Sequence, residues 1–392
     1  MRFVVFVLTL VCSPFAMGQA TEFSQCIVNL QGKAREAGLS AKVVDEVLVN
    51  LRHMPRVIEY DRAQPEFTQT FADYLNRRVT PARIDRGQLL LDEYYEFLNG
   101  LTDKYGVPGR YLIAFWGLET NFGRYLGKMP TLDSLATLAC DERRSDFFTE
   151  ELLTALSLLQ RESLDPEQMQ GSWAGAMGHT QFMPSSYYQY AVDGDNNGQV
   201  NLWDSENDAL ASGANFLKHL GWQAGERWGR EVLLPDNFPF EESGLNNRRP
   251  LQYWNDLGVR LTNKSTLPTI NIEAAVIVPA GHTGPAFLVY RNFDVIMRWN
   301  RSEYYALAVG LLADRITGAG PLLRTPSTDE KALSRRTIKS MQERLNELGY
   351  DAGDPDGVMG PATQSALRAF QISAGLIADG YPDNRTRKAL KL

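Results

Sequence analysis

Between Tyr111 and Tyr125 the chain reads YLIAFWGLETNFGRY, and one carboxylate interrupts its apolar face. Leu112, Phe115, Trp116, Glu119 and Phe122 recur at helical spacing, and of these only Glu119 is polar. Burial disfavours the charged form of a carboxyl group, so the pKa of Glu119 is expected to rise. A carboxyl still protonated near neutral pH can give its proton to a leaving oxygen. Gly123 is placed to end the helix and leave the acid beside a loop that lines a cleft. A structural Glu with a buried Arg partner has the same signature, because ion pairs also perturb carboxyl groups.

Two further groups of residues have chemical potential. Asp193 to Asp204 reads DGDNNGQVNLWD. Asp193, Asp195 and Asn197 stand at positions one, three and five of a calcium loop, with Gly198 at six. Gln199 offers its carbonyl at seven and Asp204 stands at twelve, where Glu is usual; Asp208, one helical turn on, is the alternative. The competing reading is a polar turn. Gly171 to Tyr190, GSWAGAMGHTQFMPSSYYQY, alternates glycines, small residues and aromatics. Such a stretch suits backbone held close to a ligand, or simply tight packing of chain on chain.

Other chemistries find no support. The chain has four His and no HExxH, which argues against a zinc peptidase, and it has no GxSxG elbow. A net charge of −7 without a large basic block argues against nucleic acid as the main partner. What remains is one carboxyl in an aromatic, glycine-lined setting, which suits the apolar faces and hydroxyls of sugar rings. Ordinary glycosidases need a second carboxylate; none is marked by comparable context, and Asp133, Asp141 and Glu142 stay open as alternatives. One acid suffices where the substrate supplies its own nucleophile, as an N-acetyl group does.

The elements that position these residues are mostly helical. Residues 1–20 read as a secretory signal: Arg2, an apolar centre from Phe3 to Val11, and cleavage sites near Gly18 and Ala20. Val11 before Cys12 is bulky for a lipoprotein signal, so lipidation is not expected. The exported remainder holds Cys26 and Cys140, either as a disulfide or as two buried thiols. Ser40 is a candidate helix cap, and Phe67, Phe71 and Tyr74 lie at helical spacing. Ile84 to Tyr105 reads as one long amphipathic helix closed by Gly106. Helical pattern continues from Pro130 and from Phe147 to Arg161. Between Gln223 and Pro285 it gives way to β-prone pieces, including Leu267 to Ile270. Ala275 to Val278 and Ala286 to Tyr290 form a hairpin around PAGHTGP. Helices return at Phe293 to Asn300 and Tyr304 to Ile316. Residues 317–332 are a linker rich in Gly, Pro, Ser and Thr. Beyond it, Asp356-Gly357 and Asp379-Gly380, each followed by a Pro and a Thr, mark a near-repeat in a small helical module.

These residues resemble the membrane-bound lytic transglycosylase B group of peptidoglycan-cleaving enzymes and their soluble relatives. The strings FADYLNRRV, GLETNFGRY, LATLACDERR, GSWAGAMGHTQFMPSSY, DGDNNGQVNLWD and WNRSEYYALAV carry the likeness across Thr21 to Ile316. PDGVMGPATQSALRAFQ and DGYPDNRT resemble the three-helix peptidoglycan-binding module. The resemblance implies a mainly α protein. A lysozyme-like catalytic domain with a small β subdomain spans 21–316, and a three-helix peptidoglycan-binding domain spans 333–392. It implies that Glu119 acts first as acid and then as base, cleaving the MurNAc–GlcNAc bond to leave a 1,6-anhydro end. The muramoyl N-acetyl group assists, and no cofactor takes part in the chemistry.

Carried over by position, Ser172 meets the acid or the N-acetyl group and Gln181 contacts sugar. Arg143 and Arg144 meet acidic peptide or lactyl groups, and Tyr74 and Asn300 line the cleft. Where the family pattern carries Tyr, this chain has Phe216 and Trp299, which keep ring stacking without a hydroxyl. A calcium ion in the Asp193 loop also accords with the resemblance, with a structural role. The protein is expected to be a periplasmic monomer acting on glycan strands, alone or beside other cell-wall enzymes. Its tail is expected to act as a tether that raises local substrate concentration. Competing readings are a hydrolytic muramidase, a noncatalytic wall-binding scaffold and a calcium-responsive binding protein.

Overall fold

The computed structural model describes residues 14–63, 69–162, 164–329 and 331–392. Cys12, most of the expected signal, and Phe67 lie outside them. The protein is mainly helical, with one five-stranded and one two-stranded sheet among the described residues. No described helix is long and apolar enough to cross a membrane.

The chain forms two units, each discontinuous in sequence. The first joins the chain up to Ala63 to Arg124–Ala209. Its helices are Pro14–Glu36, Pro55–Ala63, Thr131–Ala139, Ser145–Arg161 and Pro184–Tyr190. Ser40 does lie at a helix start, its Oγ accepting from Val43 N at 3.4 Å. That helix is not α: it is a π turn (Val43–Val47) continued by a 3-10 turn (Leu48–Asn50). The two segments are stapled by a disulfide between Cys26 and Cys140, whose Cα atoms lie 5.9 Å apart. A bond from the Arg52 backbone N–H to Asp133 (2.9 Å) links the same segments.

The second unit joins Gln64–Gly123 to Leu210–Leu392. Its centre is the helix Gly109–Thr120, called here the acid helix. All its residues from Tyr111 to Thr120 are buried except Glu119, so the helix is enclosed on every side and not only along one apolar stripe. Against it packs Glu303–Ile316, the tyrosine helix, capped by Ser302, whose side chain accepts from Tyr305 N. The expected long helix is two, Pro81–Glu93 and Tyr95–Tyr105, because Tyr94 leaves helical geometry at φ −97°, ψ 15°. No Pro or Gly marks that break. Gly87 lets the first of the two approach the tyrosine helix: a Cβ there would lie 2.5 Å from the Ile316 side chain.

The β subdomain is an antiparallel sheet in the order Arg249–Pro250, Glu273–Ile277, Ala286–Val289, Gly229–Leu233, Arg260–Leu261. The expected hairpin is its centre, with Ala275 opposite Val289 and Ile277 opposite Phe287. Leu267 to Ile270 is not a strand; Leu267 is a buried core residue and its N–H bonds to the Asn255 side chain at 2.8 Å.

The last three helices, Arg335–Glu347, Pro361–Ser373 and Asn384–Ala389, pack around Ile338, Met341, Leu345, Leu367 and Phe370. The near-repeat is a repeated hydrogen-bond device. Gln342 Nε2 donates to Asp356 Oδ1, the Val358 carbonyl and Thr363 Oγ1, and its Oε1 accepts from Gly357 N. Gln371 makes the same four bonds with Asp379, Tyr381, Thr386 and Gly380. Each buried amide thus satisfies one DG turn, which supplies order that so small a core lacks.

Candidate active site

The acid helix ends in an unusual way. Asn121, Phe122 and Gly123 all have positive φ (53°, 60° and 75°), and for Phe122 this is a strained conformation. The turn folds the Phe122 ring back over Gly117, where an added Cβ would sit 2.7 Å from it, and edge-on to Trp116 at 5.9 Å. Glu119, one turn before this point, is therefore half-buried at the end of a rigid helix, as its spacing predicted.

Its surroundings are less dry than the sequence implies. Glu119 Oε1 accepts the indole N–H of Trp299 at 3.0 Å and the phenolic O–H of Tyr305. Tyr305 is buried, and its pKa lies well above the usual tyrosine range. Burial raises it first, then the charge of Glu119 and its hydrogen bond. The phenol therefore stays protonated and remains a donor. Trp299, expected only to stack, replaces a hydroxyl by an indole N–H. It also lies on Phe115 (4.5 Å) and against Phe216 (5.2 Å). Tyr74 is buried beside Tyr304 (6.0 Å) with the Arg78 guanidinium over its ring. Asn300 is exposed at the C-terminal end of the helix Arg291–Trp299. Tyr305 went unrecognised in the sequence because a tyrosine inside an apolar helix reads as core.

Tyr305→Phe removes one of two donors that favour the ionised acid. The expected result is a roughly tenfold loss of kcat. The alkaline limb of the pH–rate profile should move to higher pH, since the protonated acid then persists further. An unchanged profile would mean that Tyr305 serves packing alone.

The other expected residues lie in the first unit. Arg143 and Arg144 both bind the carboxylate of Asp61, which is 1 % exposed. Burial pushes the Asp61 carboxyl up, but the two guanidiniums outweigh it and hold the group below the usual carboxylate range. Its stabilisation is therefore present above its unfolded value, near 3.9, and fades as pH falls through the lower folded value. Arg62 adds a pair with Asp141 at 2.8 Å. Both predicted substrate arginines are thus engaged within the protein.

Ser172 Oγ accepts from the N–H groups of Ala174 (3.3 Å) and Ala176 (3.0 Å), closing a turn. Gln181, at φ 49°, donates from Nε2 to the carbonyls of Leu126 and Gly178, each at 3.0 Å. The close approaches of this glycine-rich stretch are backbone on backbone: a Cβ on Gly171 would lie 2.1 Å from the Ala176 carbonyl, and one on Gly127 2.0 Å from that of Gly171.

In the calcium-like loop, one carboxylate oxygen each from Asp193, Asp195 and Asp208 lies within 4.8 Å of the others. Asp208 thus takes the place that spacing assigned to Asp204, whose carboxylate accepts from the Asn201 side chain at 3.0 Å. Asn197 Oδ1 accepts the Gln199 N–H at 2.8 Å. The Asp193 carboxyl is held below its usual range, chiefly by the Gly198 N–H. Asp208 is buried and receives the N–H groups of Gly194 and Asn201, each at 2.7 Å. Three hard carboxylate oxygens this close together, two from the loop and one from the helix that follows it, fit a calcium ion.

Residues 22–314 match the Transglycosylase SLT domain family, and residues 334–390 match a peptidoglycan binding domain family. The chain belongs to the SLT lytic transglycosylases. It is 35% identical over 244 residues to membrane-bound lytic murein transglycosylase B of Escherichia coli, covering 62% of this chain and 66% of that protein. It is similar to Pseudomonas aeruginosa SltB3 in complex with NAG-anhNAM-pentapeptide, with a TM-score of 0.90 and 40% identity over 94% of this chain and 99% of that one. It is also similar to the E. coli lytic transglycosylase Slt35 in complex with calcium. That match has a TM-score of 0.64 and 30% identity, over 76% of this chain and 92% of that one. This lytic transglycosylase therefore has the lysozyme-like helical fold, small sheets and C-terminal helical module expected of it.

Proposed function

We propose that this lytic transglycosylase cleaves the bond between N-acetylmuramic acid and N-acetylglucosamine with Glu119 as its single acid and base. The observation that carries the reading is the pair of donors on Glu119 Oε1. Trp299 and Tyr305 fix the carboxyl, and Oε2 can then hand its proton to the bridging oxygen. As the bond breaks, positive charge develops at the muramoyl anomeric carbon, and the substrate's own N-acetyl oxygen captures it. Glu119, now ionised and stabilised by the same two donors, takes the proton of the muramoyl 6-hydroxyl. That oxygen closes onto the anomeric carbon and releases the N-acetyl group. The proton count returns to its start, no water is consumed, and the product ends in a 1,6-anhydro ring. The NAG-anhNAM-pentapeptide bound to SltB3 supports this product class.

Mass spectrometry of a digest of purified glycan strands tests the reading. New ends should be lighter by one water than reducing ends, and a digest holding only reducing ends would make the protein a muramidase. Gln181 keeps its amide oxygen for a sugar hydroxyl, since its nitrogen is already used by Leu126 and Gly178. The signal-like pattern of residues 1–20 and the Cys26–Cys140 bond support action in the oxidising periplasm.

A structural calcium ion held by Asp193, Asp195 and Asp208 is part of the same reading, supported by the calcium complex of Slt35. Its expected mark is on stability. At about 100 times its Kd, calcium should add about 2.7 kcal/mol, and a chelator should remove it. Asp208→Asn should abolish the response of Tm to calcium. A wild-type Tm indifferent to both calcium and chelator would leave the loop a polar turn.

A further inference from the structure

A cleft of about 310 Å³ opens between the C-terminal module and the β subdomain, within the second unit. That volume is near the lower end of those that hold a small ligand. One wall is the helix Pro361–Ser373, through Pro361, Gln364, Ser365, Arg368, Ala369 and Ile372. Their spacing places them on one stripe of the helix. The other stripe, with Ala366, Leu367 and Phe370, fills the module's own core. The second wall is the turn after Phe240–Glu242 in the β subdomain. That turn is fixed to its surroundings: Gly244 N–H donates to the Val276 carbonyl at 2.7 Å and Ser243 N–H to the Phe240 carbonyl at 2.9 Å. The buried Asp379 of the second DG turn holds the walls together. Its Oδ2 receives the backbone N–H of His282 at 2.9 Å and bonds that ring's Nδ1 at 2.7 Å.

Arg368 dominates the chemistry of the lining. Its guanidinium packs against two left-handed glycines. A Cβ on Gly244 (φ +121°) would lie 3.1 Å from Arg368 Cζ, and one on Gly380 (φ +72°) 2.9 Å from it. A guanidinium has five N–H donors. Among the described residues it makes one hydrogen bond, from Nε to Ser243 Oγ at 3.4 Å. The carboxylates of Glu303 and Asp379 act on it through their charge, and neither lines the cleft. Asp379 is already committed, with Oδ1 accepting from Gln371 Nε2 and Tyr381 N–H and Oδ2 serving His282. A charged fork with unused donors in a recess fits a planar carboxylate, which it binds through two parallel bonds.

The remaining lining fits a peptide. Asn247 spends its Nδ2 on the carbonyl and carboxylate of Glu242, at 2.7 and 2.6 Å, and keeps its oxygen for a peptide N–H. Leu245, Ala369 and Ile372 give an apolar surface for small side chains. Glu241 is exposed, and its carboxylate suits an ammonium group.

We propose that this cleft binds the carboxylate end of a short peptide that also carries an ammonium group, as the stem peptides of peptidoglycan do. Arg368 takes the carboxylate and Glu241 the ammonium. Both walls are needed, so the site exists only while the module is docked, unlike a tether whose binding surface lies wholly in the tail. The inference does not depend on the chemistry of Glu119.

The test is calorimetric titration of the full chain with the tripeptide Lys-D-Ala-D-Ala. Wild type should bind it, and a chain that takes up none overturns the proposal. The tripeptide with an amidated end should bind roughly ten- to hundredfold more weakly, as expected when a charge-assisted pair is lost. Arg368→Gln should lose as much for the free acid and nothing for the amide. Equal binding of acid and amide by wild type, or of the acid by wild type and variant, would overturn the assignment. If Arg368→Gln does not fold, Glu241→Gln at its exposed position keeps the proposal testable. It should weaken the free tripeptide and leave a tripeptide with acetylated amines unaffected, and no change in either would contradict the site. N-acetylmuramic acid, a carboxylate without a peptide, should compete poorly; competition equal to that of the tripeptide would make the ligand a sugar acid and sink the peptide reading. Glu119→Gln should bind as wild type does. Binding lost there but kept in Arg368→Gln would place the peptide at the acid instead and overturn the inference.

Discussion

Glu119→Gln should lower kcat by about a thousandfold or more, within the range by which a positioned acid or base accelerates proton transfer and with both steps lost together. The side chain keeps its volume, and its amide oxygen still accepts from Trp299 and Tyr305, so Tm and KM should change little. What disappears is the transferable proton of the first step and the basic oxygen of the second. A scaffold reading predicts no change at all, and a variant within tenfold of wild type would remove Glu119 from the chemistry. Two of the other acids that the sequence offered are already paired. Asp133 bonds Arg52 and Asp141 bonds Arg62 in the other unit.

The second large effect concerns stability. Cys140→Ser should cost on the order of 2–5 kcal/mol, the usual range for loss of a native disulfide. The bond closes a span of 114 residues, and the loop it removes from the unfolded ensemble is correspondingly long. Its place increases the effect. The first unit consists of two segments that the intervening chain, which belongs to the second unit, does not itself hold together. Cys26 lies on the helix Pro14–Glu36 and Cys140 caps Thr131–Ala139, so the bond joins one segment directly to the other. Thermal unfolding with and without reductant measures this. Wild type should lose stability on reduction and Cys140→Ser should not respond. Equal Tm values in all four conditions would contradict the account.

The sequence exposed single anomalies well and partnerships poorly. Glu119 stood out because a charge inside an apolar run has few explanations. The hairpin at Ala275–Val289 was legible from β-branched runs around PAGHTGP, and the two DG turns from their repetition. The partners of these features were not. Asp61 lies 82 and 83 residues from the arginines that bind it, and no periodicity joins them. Arg143 and Arg144 were given as substrate contacts by resemblance, which carries no information on their pairing with Asp61. Trp299 and Tyr305 come to Glu119 from 180 and 186 residues away, and each taken alone is an aromatic of the kind that fills cores. The exchange of Asp208 for Asp204 has a different cause. Spacing along a loop assumes one backbone path, whereas the Asn201 side chain takes up Asp204 and the next helix brings Asp208 inward. The break at Tyr94 had no local mark, since no Pro or Gly stands there.

The most direct test of a carboxyl that works without water is to digest glycan strands in heavy-oxygen water and weigh the new ends. The account predicts anhydro ends that carry no heavy oxygen, with Glu119→Gln producing no new ends. Heavy oxygen in the new muramoyl ends would show that water attacks the anomeric carbon, and the account of Glu119 as acid and base for an internal hydroxyl would be wrong.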